Sequence, residues 1–538
     1  MDLRIYQVIL YIVISILSGV LLTMLSHKPV QMLQLGGYKV RGYFDWLKGT
    51  KFEYFWRYVA LCLFAVATTV GFYMAFGEYG FASYFGWLLF AFFCILFFVV
   101  TIKQKNKTPL KITARVKRLF VALGIINIAV SFGLVFASVA LNISYLMIVG
   151  SPLLILITLL LAHLVMVLPE RLNNKRYYKM AKNKLIARGD GLIKIGITGS
   201  YGKTTIKNML AAMLKTKYNV CFSPASFNTP MGLSKVINYE LKDEHEVLIA
   251  EMGARRMGDI RELCELVGPN ISMLSAIGWA HLDTFGSRDN IAKGKYEIIE
   301  GLVEGGLAVF NAEGGAIGPL IDKTVGRKTV SGNGDERQGL DCSYTGLKFG
   351  ADGCEFLLSV NGESRLIRTE LLGKYVPDLI SMCAAVAYEL GVSLEDIATV
   401  CGELESVPHR LQLIRNGNTA IIDDAYNSNP DGAEAALEVL GCFEGVKIVV
   451  TPGIVEMGKD EERVNTELGR QIAKVSDHAI LVGSLGEYIA IGCSEGGMSD
   501  EVIYRVASLD EATAKLATIS PNEIRAVLFE NDLPDNIR

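Results

Sequence analysis

The chain has 538 residues, enough for three or four domain-sized units, and its 53 Lys and Arg against 56 Asp and Glu leave a formal net charge of -3, which argues against nucleic acid as a partner. Its 10 cysteines form no C-x-x-C pair and no Cys/His ligand spacing, which argues against a zinc knuckle or a disulfide framework and fits a reduced, cytosol-facing catalytic part. Mean hydropathy is high for a soluble protein, at +0.33, and the apolar residues crowd into the first third.

That third contains apolar stretches over 5–25, 55–76, 82–101, 119–141 and 143–168. Each reaches the roughly 20 residues that cross about 30 Å of hydrocarbon. The first has no small-residue cleavage site after Leu25 and is read as a retained span rather than a signal peptide. Lys28, Lys39, Arg41, Lys48 and Lys51 follow the first span. Lys103, Lys105, Lys107, Lys111, Arg115, Lys117 and Arg118 follow the third, and a further basic run from Arg171 to Lys184 follows the fifth. The two remaining connections carry no basic residue, so the positive-inside rule puts the N-terminus outside and everything after about residue 169 in the cytoplasm. No charge pair inside the spans suggests a pump or channel. The expected partner of this region is the lipid bilayer.

Beyond a basic linker, 169–190, the run Leu192–Thr198 reads as a buried strand that enters Gly199-Ser200-Tyr201-Gly202-Lys203-Thr204-Thr205. A helix follows, with Ile206, Met209, Leu210, Met213 and Leu214 on one stripe. Strand, glycine turn and helix together suit phosphate. Gly199 and Gly202 let backbone N–H groups approach it, the helix N-terminus adds favourable partial charge, and Lys203 neutralises the terminal phosphates. Thr204 or Thr205 supplies a hydroxyl for Mg²⁺. A second strand, Val247–Ala250, ends at Glu251, and a third, near Ile271–Ile277, leads to His281. An acid and an imidazole at the carboxyl ends of parallel strands make a plausible Mg²⁺ site.

These residues resemble the Mur ligases, and within them the MurF type that adds D-Ala-D-Ala to a muramoyl peptide. Thr198 to Met209 is similar to the family's TGSxGKT loop and helix, and Ser226-Phe227-Asn228-Thr229 with Gly232 to its substrate-side asparagine loop. Glu251-Met252-Gly253-Ala254 with Gly258-Asp259-Ile260 resembles EMGA…GDI, and 280–295 resembles AHLxxFGSxxxIAxAK. Pro408-His409-Arg410-Leu411 and Asp423–Pro430 resemble the arginine motif and the DDxYNANP string of the last domain. The likeness covers roughly 190 to 538.

The resemblance implies ATP and Mg²⁺ as cofactors. Gly199, Ser200, Gly202, Lys203, Thr204, Thr205, Asn311, Arg410 and Asp424 would contact the nucleotide, with Arg410 on the γ-phosphate. Thr204, Glu251, His281 and Lys295 would hold metal, Lys295 as a carbamate. Catalysis would fall to Lys203, Lys295, His281 and Arg410, and substrate binding to Asn228, Thr229, Asn427 and Asn429. The implied reaction transfers the γ-phosphoryl of ATP to a carboxylate, and an amine then displaces phosphate from the acyl phosphate.

The sequence departs from the family at Gly373–Leu379, where a G-x-H-N-x-x-N segment is usual, at Glu313 for Asp, and at Leu528–Asp532 for a basic K-G-S-like end. The expected architecture is an α-helical membrane bundle (1–168) followed by α/β. The α/β part comprises a P-loop Mur ligase central domain (191–407) and a Rossmann-like C-terminal domain (408–538), with strands near 420–423, 447–450, 479–482 and 526–529. Only about two dozen residues separate the last span from the first α/β strand, too few for a separate UDP-gripping domain. The muramoyl-peptide donor is therefore either UDP-linked or lipid-linked, and the acceptor is D-Ala-D-Ala or a similar amine. Alternatives within the enzymes are a polyglutamate-forming or amidating Mur-type ligase. Outside them stand a non-catalytic membrane scaffold and a transport ATPase.

Overall fold

The computed structural model describes residues 3–50, 52–76, 79–103, 109–140, 146–224, 227–279, 281–426, 429–455 and 457–531. They divide into two compact units, split between Lys175 and Arg176.

The first unit is helical. Four helices among the described residues are long and apolar enough to cross a membrane: Ile5–Leu25, Phe85–Lys103, Ala114–Ala140 and the stretch Ser151–Gly191. The remaining expected span coincides with the helix Glu53–Phe76, several of whose side chains lie outside the described residues. Close approach joins the first helix to Ala114–Ala140, because a Cβ on Gly19 would lie 2.5 Å from Ile128 Cγ1. Asn127 donates to Thr23 Oγ1 (3.1 Å) and Trp87 to Ser18 Oγ (2.9 Å), the small-residue and polar contacts that hold helices together in lipid.

The basic segment after the first span is itself helical, as His27–Leu35 and Val40–Gly49. Val30, Leu33, Tyr43, Trp46 and Leu47 from these helices join Leu119, Leu123 and Leu159 in one apolar cluster. Lys28, Arg41 and Lys48 therefore ride on packed helices.

The stretch 169–190, expected as a linker, needs correction. One helix runs Ile155–Arg188 with Pro169 inside it. Tyr178, Ala181 and Leu185 near its end pack into the α/β core, and Arg188 donates to the carbonyl of Lys242 (2.9 Å). Sequence reading saw only a polar, basic run there, because its few apolar residues find their partners in the α/β core.

The second unit contains two mixed sheets. The nine-stranded sheet has the order β2-β3-β1-β4-β5-β6-β7-β8-β9. Its strands are β1 (Ile193–Thr198), β2 (Val220–Phe222), β3 (Val247–Glu251), β4 (Ile271–Leu274), β5 (Leu307–Asn311), β6 (Lys328–Asn333), β7 (Cys342–Gly350), β8 (Gly353–Val360) and β9 (Glu363–Thr369). Strands β1 to β6 are parallel and covered on both faces, which is why β3, β4 and β5 are buried at every position. β7, β8 and β9 form an antiparallel edge.

The six-stranded sheet has the order β10-β11-β15-β12-β13-β14. It comprises β10 (Gln412–Asn416), β11 (Thr419–Asp424), β12 (Val446–Thr451), β13 (His478–Val482), β14 (Ile503–Val506) and β15 (Arg525–Glu530), parallel except for β10. The four strands expected from sequence coincide with β11, β12, β13 and β15. In the larger sheet the chain leaves β1, passes through β2 and β3 on one side, and returns to β4 on the other. This change of direction opens a crevice at the carboxyl ends of β1, β3 and β4, the place where open α/β sheets take ligands.

Candidate functional site

The turn after β1 is shaped by what it touches. A Cβ on Gly199 would lie 1.9 Å from Ser275 Oγ, so only glycine allows this approach, and Gly202 has a left-handed φ of 80° as it opens the helix Lys203–Leu214. The turn is stapled to the segment after β4. Ser200 N donates to the Ala276 carbonyl (2.9 Å), Gly278 N to Ser200 Oγ (2.8 Å), and Ser275 Oγ to the Tyr201 carbonyl (2.6 Å). Such a cradle, backed by a helix N-terminus, suits an anionic phosphate.

Lys203 donates to the Gly199 carbonyl (2.7 Å). Desolvation in the crevice lowers its ammonium to about 8, with Glu251 opposing that shift and Arg410 reinforcing it. Lys295, on the helix Arg288–Glu300, is 1 % exposed. Burial and the nearby charge of Lys203 hold its ammonium well below the usual lysine range. Lowering a lysine in this way favours its free amine, the form that adds to CO₂ to make a carbamate.

Glu251, at the carboxyl end of β3, is the hub of the site. Its Oε2 accepts from Thr204 Oγ1 (3.1 Å) and Lys207 Nζ (3.0 Å), and its Oε1 from Asn228 Nδ2 (3.1 Å). Thr204 and Glu251 thus present adjacent oxygens of the kind Mg²⁺ takes, although no cluster of three or more His, Cys, Asp or Glu suited to a metal lies among the described residues. A hard cation there would complete its shell with water and phosphate oxygens. Lys207 was not foreseen as a site residue. Its signal was its place four residues after Lys203, on the same helix face.

Asn228, expected to bind substrate, lies against Glu251 through the hydrogen bond just given. Gly253 makes room for it, because a Cβ there would lie 2.8 Å from Asn228 Cγ. Thr229 and Asn429 cap helices, accepting from Gly232 N (3.2 Å) and Gly432 N (3.0 Å) respectively. Asn311 Oδ1 accepts from Glu313 N (3.0 Å) in the turn after β5. His281 is half-buried, has a left-handed φ of 62°, and precedes the helix Leu282–Phe285. Asn427 lies outside the described residues.

The C-terminal α/β domain supplies Arg410, whose guanidinium lies 4.4 Å over the Tyr426 ring. The flanking His409 and Leu411 both have positive φ, 62° and 44°, strain of about 1–3 kcal/mol each that fixes the direction of the arginine. Asp424 accepts from Leu411 N (3.1 Å), and burial pushes its carboxyl up to about 6. Asp431 meets the turn from this side, 2.9 Å from the place a Cβ on Gly278 would occupy.

A cavity of about 290 Å³ lies between the two α/β domains, lined by Thr205, Asn208, Tyr375, Val376, Arg410 and Leu411 among others. It is near the lower end of the size range of small-molecule sites. Two of its walls come from the 373–379 segment that departs from the family pattern. In the same segment Asp378 accepts from Tyr344 OH (2.8 Å), and burial pushes its carboxyl up to about 7.

Comparison with known proteins follows the same division. Residues 197–387 match the Mur ligase middle domain, and residues 409–529 match the Mur ligase glutamate ligase domain. The UDP-N-acetylmuramoyl-tripeptide--D-alanyl-D-alanine ligase of Bacillus subtilis is 31% identical over 342 residues, covering 62% of this chain and 72% of the relative. Its Escherichia coli counterpart is 28% identical over 305 residues, covering 56% and 67%. Among solved structures, MurF from Acinetobacter baumannii superposes with a TM-score of 0.61 at 26% identity, over 67% of this chain and 77% of that one. The Thermotoga maritima MurF ligase, in complex with ADP, does so with a TM-score of 0.58 at 26% identity, over 68% and 82%.

Proposed function

This chain belongs to the Mur ligase family, and we propose that it is a membrane-held, ATP-dependent ligase that joins a muramoyl-peptide carboxylate to D-Ala-D-Ala or a similar amine. The observation that carries the reading is Glu251, hydrogen-bonded to Thr204 one residue after Lys203 at the carboxyl end of the central strands. Nucleotide-dependent ligation needs this juxtaposition of phosphate cradle, lysine and metal-holding oxygens. A scaffold has no use for a desolvated lysine poised there.

Phosphoryl transfer is chiefly positioning and neutralisation of charge. In this proposal the 199–205 turn is a phosphate loop. Gly199, Ser200, Gly202 and Thr205 hold phosphates through the backbone and hydroxyls, and Lys203 and Arg410 neutralise the transferring group from opposite domains. Thr204 and Glu251, with His281 and a carbamylated Lys295, would hold Mg²⁺, which would supply Lewis-acid charge to the phosphate oxygens. The 290 Å³ cavity takes the nucleoside, with Asp424 orienting it. Asn311 contributes to the nucleotide site through the turn it braces. Asn228 acts through Glu251, and Asn429 and Thr229 fix helix starts that border the substrate side. The carboxylate attacks the γ-phosphorus, ADP leaves, and the acceptor amine then attacks the acyl carbon and expels phosphate while losing a proton.

The proposed organisation is a membrane-spanning domain over 1–168 with its α/β domains, 191–407 and 408–538, on the cytoplasmic side. The four long apolar helices support it. The decisive test is ADP release by the full chain in detergent over a matrix of muramoyl-peptide donors and amine acceptors, with D-Ala-D-Ala among them. Turnover that requires both donor and D-Ala-D-Ala and is lost in Lys203→Ala is expected. Turnover with glutamate or ammonia in its place would support the polyglutamate-forming or amidating alternatives, and undiminished turnover in a folded Lys203→Ala would remove the site assignment.

A further inference from the structure

The membrane unit contains a second cavity, of about 390 Å³, that the ligase reaction does not use. It forms where the short helix Val40–Gly49 lies beside Phe52, the start of Glu53–Phe76, and the first turns of Ile155–Arg188. Tyr43, Phe44, Phe52, Trp56, Ile157 and Leu160 line it, and its surface is almost wholly apolar. Phe44, Phe52, Trp56 and Ile157 are exposed, Trp56 by 62%, so the slot opens on the outside of the bundle, where the hydrocarbon of a bilayer would be.

The charge around the slot specifies the occupant. Val40–Gly49 carries Arg41 and Lys48 against Asp45 alone, and the exposed Lys39 precedes it. Arg115 begins the neighbouring helix Ala114–Ala140, its guanidinium 3.6 Å over the Tyr38 ring, and Val116, Leu119 and Leu123 of that helix share a core with Tyr43, Trp46 and Leu47; Arg118 is already paired with Glu170 at 2.7 Å. An apolar slot with rigid aromatic walls beside a positive rim matches an amphiphile with one long chain and an anionic head.

We propose that this slot and its basic rim bind a long-chain lipid phosphate, and that this lipid is the anchor of a lipid-linked form of the carboxylate donor. The second half rests on the ligase reading given above. Holding the donor in the same membrane as the enzyme raises its effective concentration, and it supplies by confinement what a grip on a soluble nucleotide head would supply by contact.

The test uses the full chain in nanodiscs of phosphatidylcholine that include a brominated-chain lipid to quench tryptophan emission. A polyprenyl monophosphate is titrated against phosphatidylglycerol, and turnover is measured with matched lipid-linked and UDP-linked donors. Selective recovery of emission by the polyprenyl phosphate is expected. The slot-filling variant Ile157→Phe/Leu160→Phe should raise KM for the lipid-linked donor at least about tenfold while leaving kcat/KM for the UDP-linked donor unchanged, which also reports that the variant is folded. Equal displacement by phosphatidylglycerol would overturn the site and leave an ordinary bilayer contact. An unaltered KM for the lipid-linked donor in the filled variant, or a wild type that ignores that donor while using the UDP-linked one, would overturn its role in donor delivery. Selective displacement in a wild type that turns over neither donor would uphold the lipid site and defeat the ligase reading instead.

Discussion

Lys207 and Glu251 form an ion pair at 3.0 Å with side-chain exposures of 1% and 2%, so each charge depends on the other for its place in the interior. Lys207→Met keeps the length of the side chain and removes the ammonium, leaving Glu251 with two neutral donors, Thr204 and Asn228. Breaking a buried pair from one side costs about 3–5 kcal/mol. The two surviving hydrogen bonds put the expected loss at the lower end, about 3 kcal/mol, or a fall in Tm of roughly 6–12 °C for a domain of about 200 residues. Glu251→Gln should cost a similar amount, because it leaves the ammonium buried without a counter-charge. The double variant removes both charges, so its cost should be smaller than the sum of the two by about 2 kcal/mol or more. Thermal melts of the purified full chain at one scan rate, with all four proteins side by side, measure this coupling. Additive single and double variants, or single variants that melt with the wild type, would refute the view that this pair holds the metal-side carboxylate in place.

Other outcomes follow from the same geometry. Lys295→Ala should be nearly inactive yet folded, and wild-type activity should fall in CO₂-free buffer and return with bicarbonate; indifference to CO₂ with an active variant would mark Lys295 as an ordinary buried lysine. Asp378 is pushed up to about 7 from 3.8, so the folded state binds a proton that the unfolded state has released between those values. Stability should therefore decline as pH rises from about 4 to about 7 and level off above. Asp378→Asn, which still offers Tyr344 an acceptor, should melt higher than wild type at pH 8 and match it near pH 4, and equal melting at pH 8 would contradict the burial argument. Reporter fusions after residue 80 should be external, and those after residue 110 and at the C-terminus cytoplasmic; a cytoplasmic signal at 80 would reverse the topology.

Much of the fold could be read directly because its signals are local. Val247–Ala250 is an unbroken apolar run since both faces of β3 are covered, and Gly199 and Gly202 mark a turn because the backbone there comes close to its neighbours or takes positive φ. What escaped depends on partners far along the chain. Lys207 reads as one more helix lysine until β3 brings Glu251 against it, and the hydrogen bond of Asn228 to the same carboxylate needs the room that Gly253 leaves. The capping hydrogen bonds of Thr229 and Asn429 become visible only with the folded backbone. The helical nature of 27–35, 40–49 and 169–188 was hidden by basic residues whose apolar neighbours pack elsewhere.

The central claim is that a muramoyl-peptide carboxylate is activated by phosphoryl transfer and then joined to an amine. It is tested most directly by labelling both oxygens of that carboxylate with ¹⁸O and analysing the products of one turnover with ATP, Mg²⁺ and D-Ala-D-Ala. The account predicts an amide product that retains one labelled oxygen and inorganic phosphate that carries the other, with neither formed by Lys203→Ala. Amide formed with unlabelled phosphate, or ADP released with no amide, would contradict it.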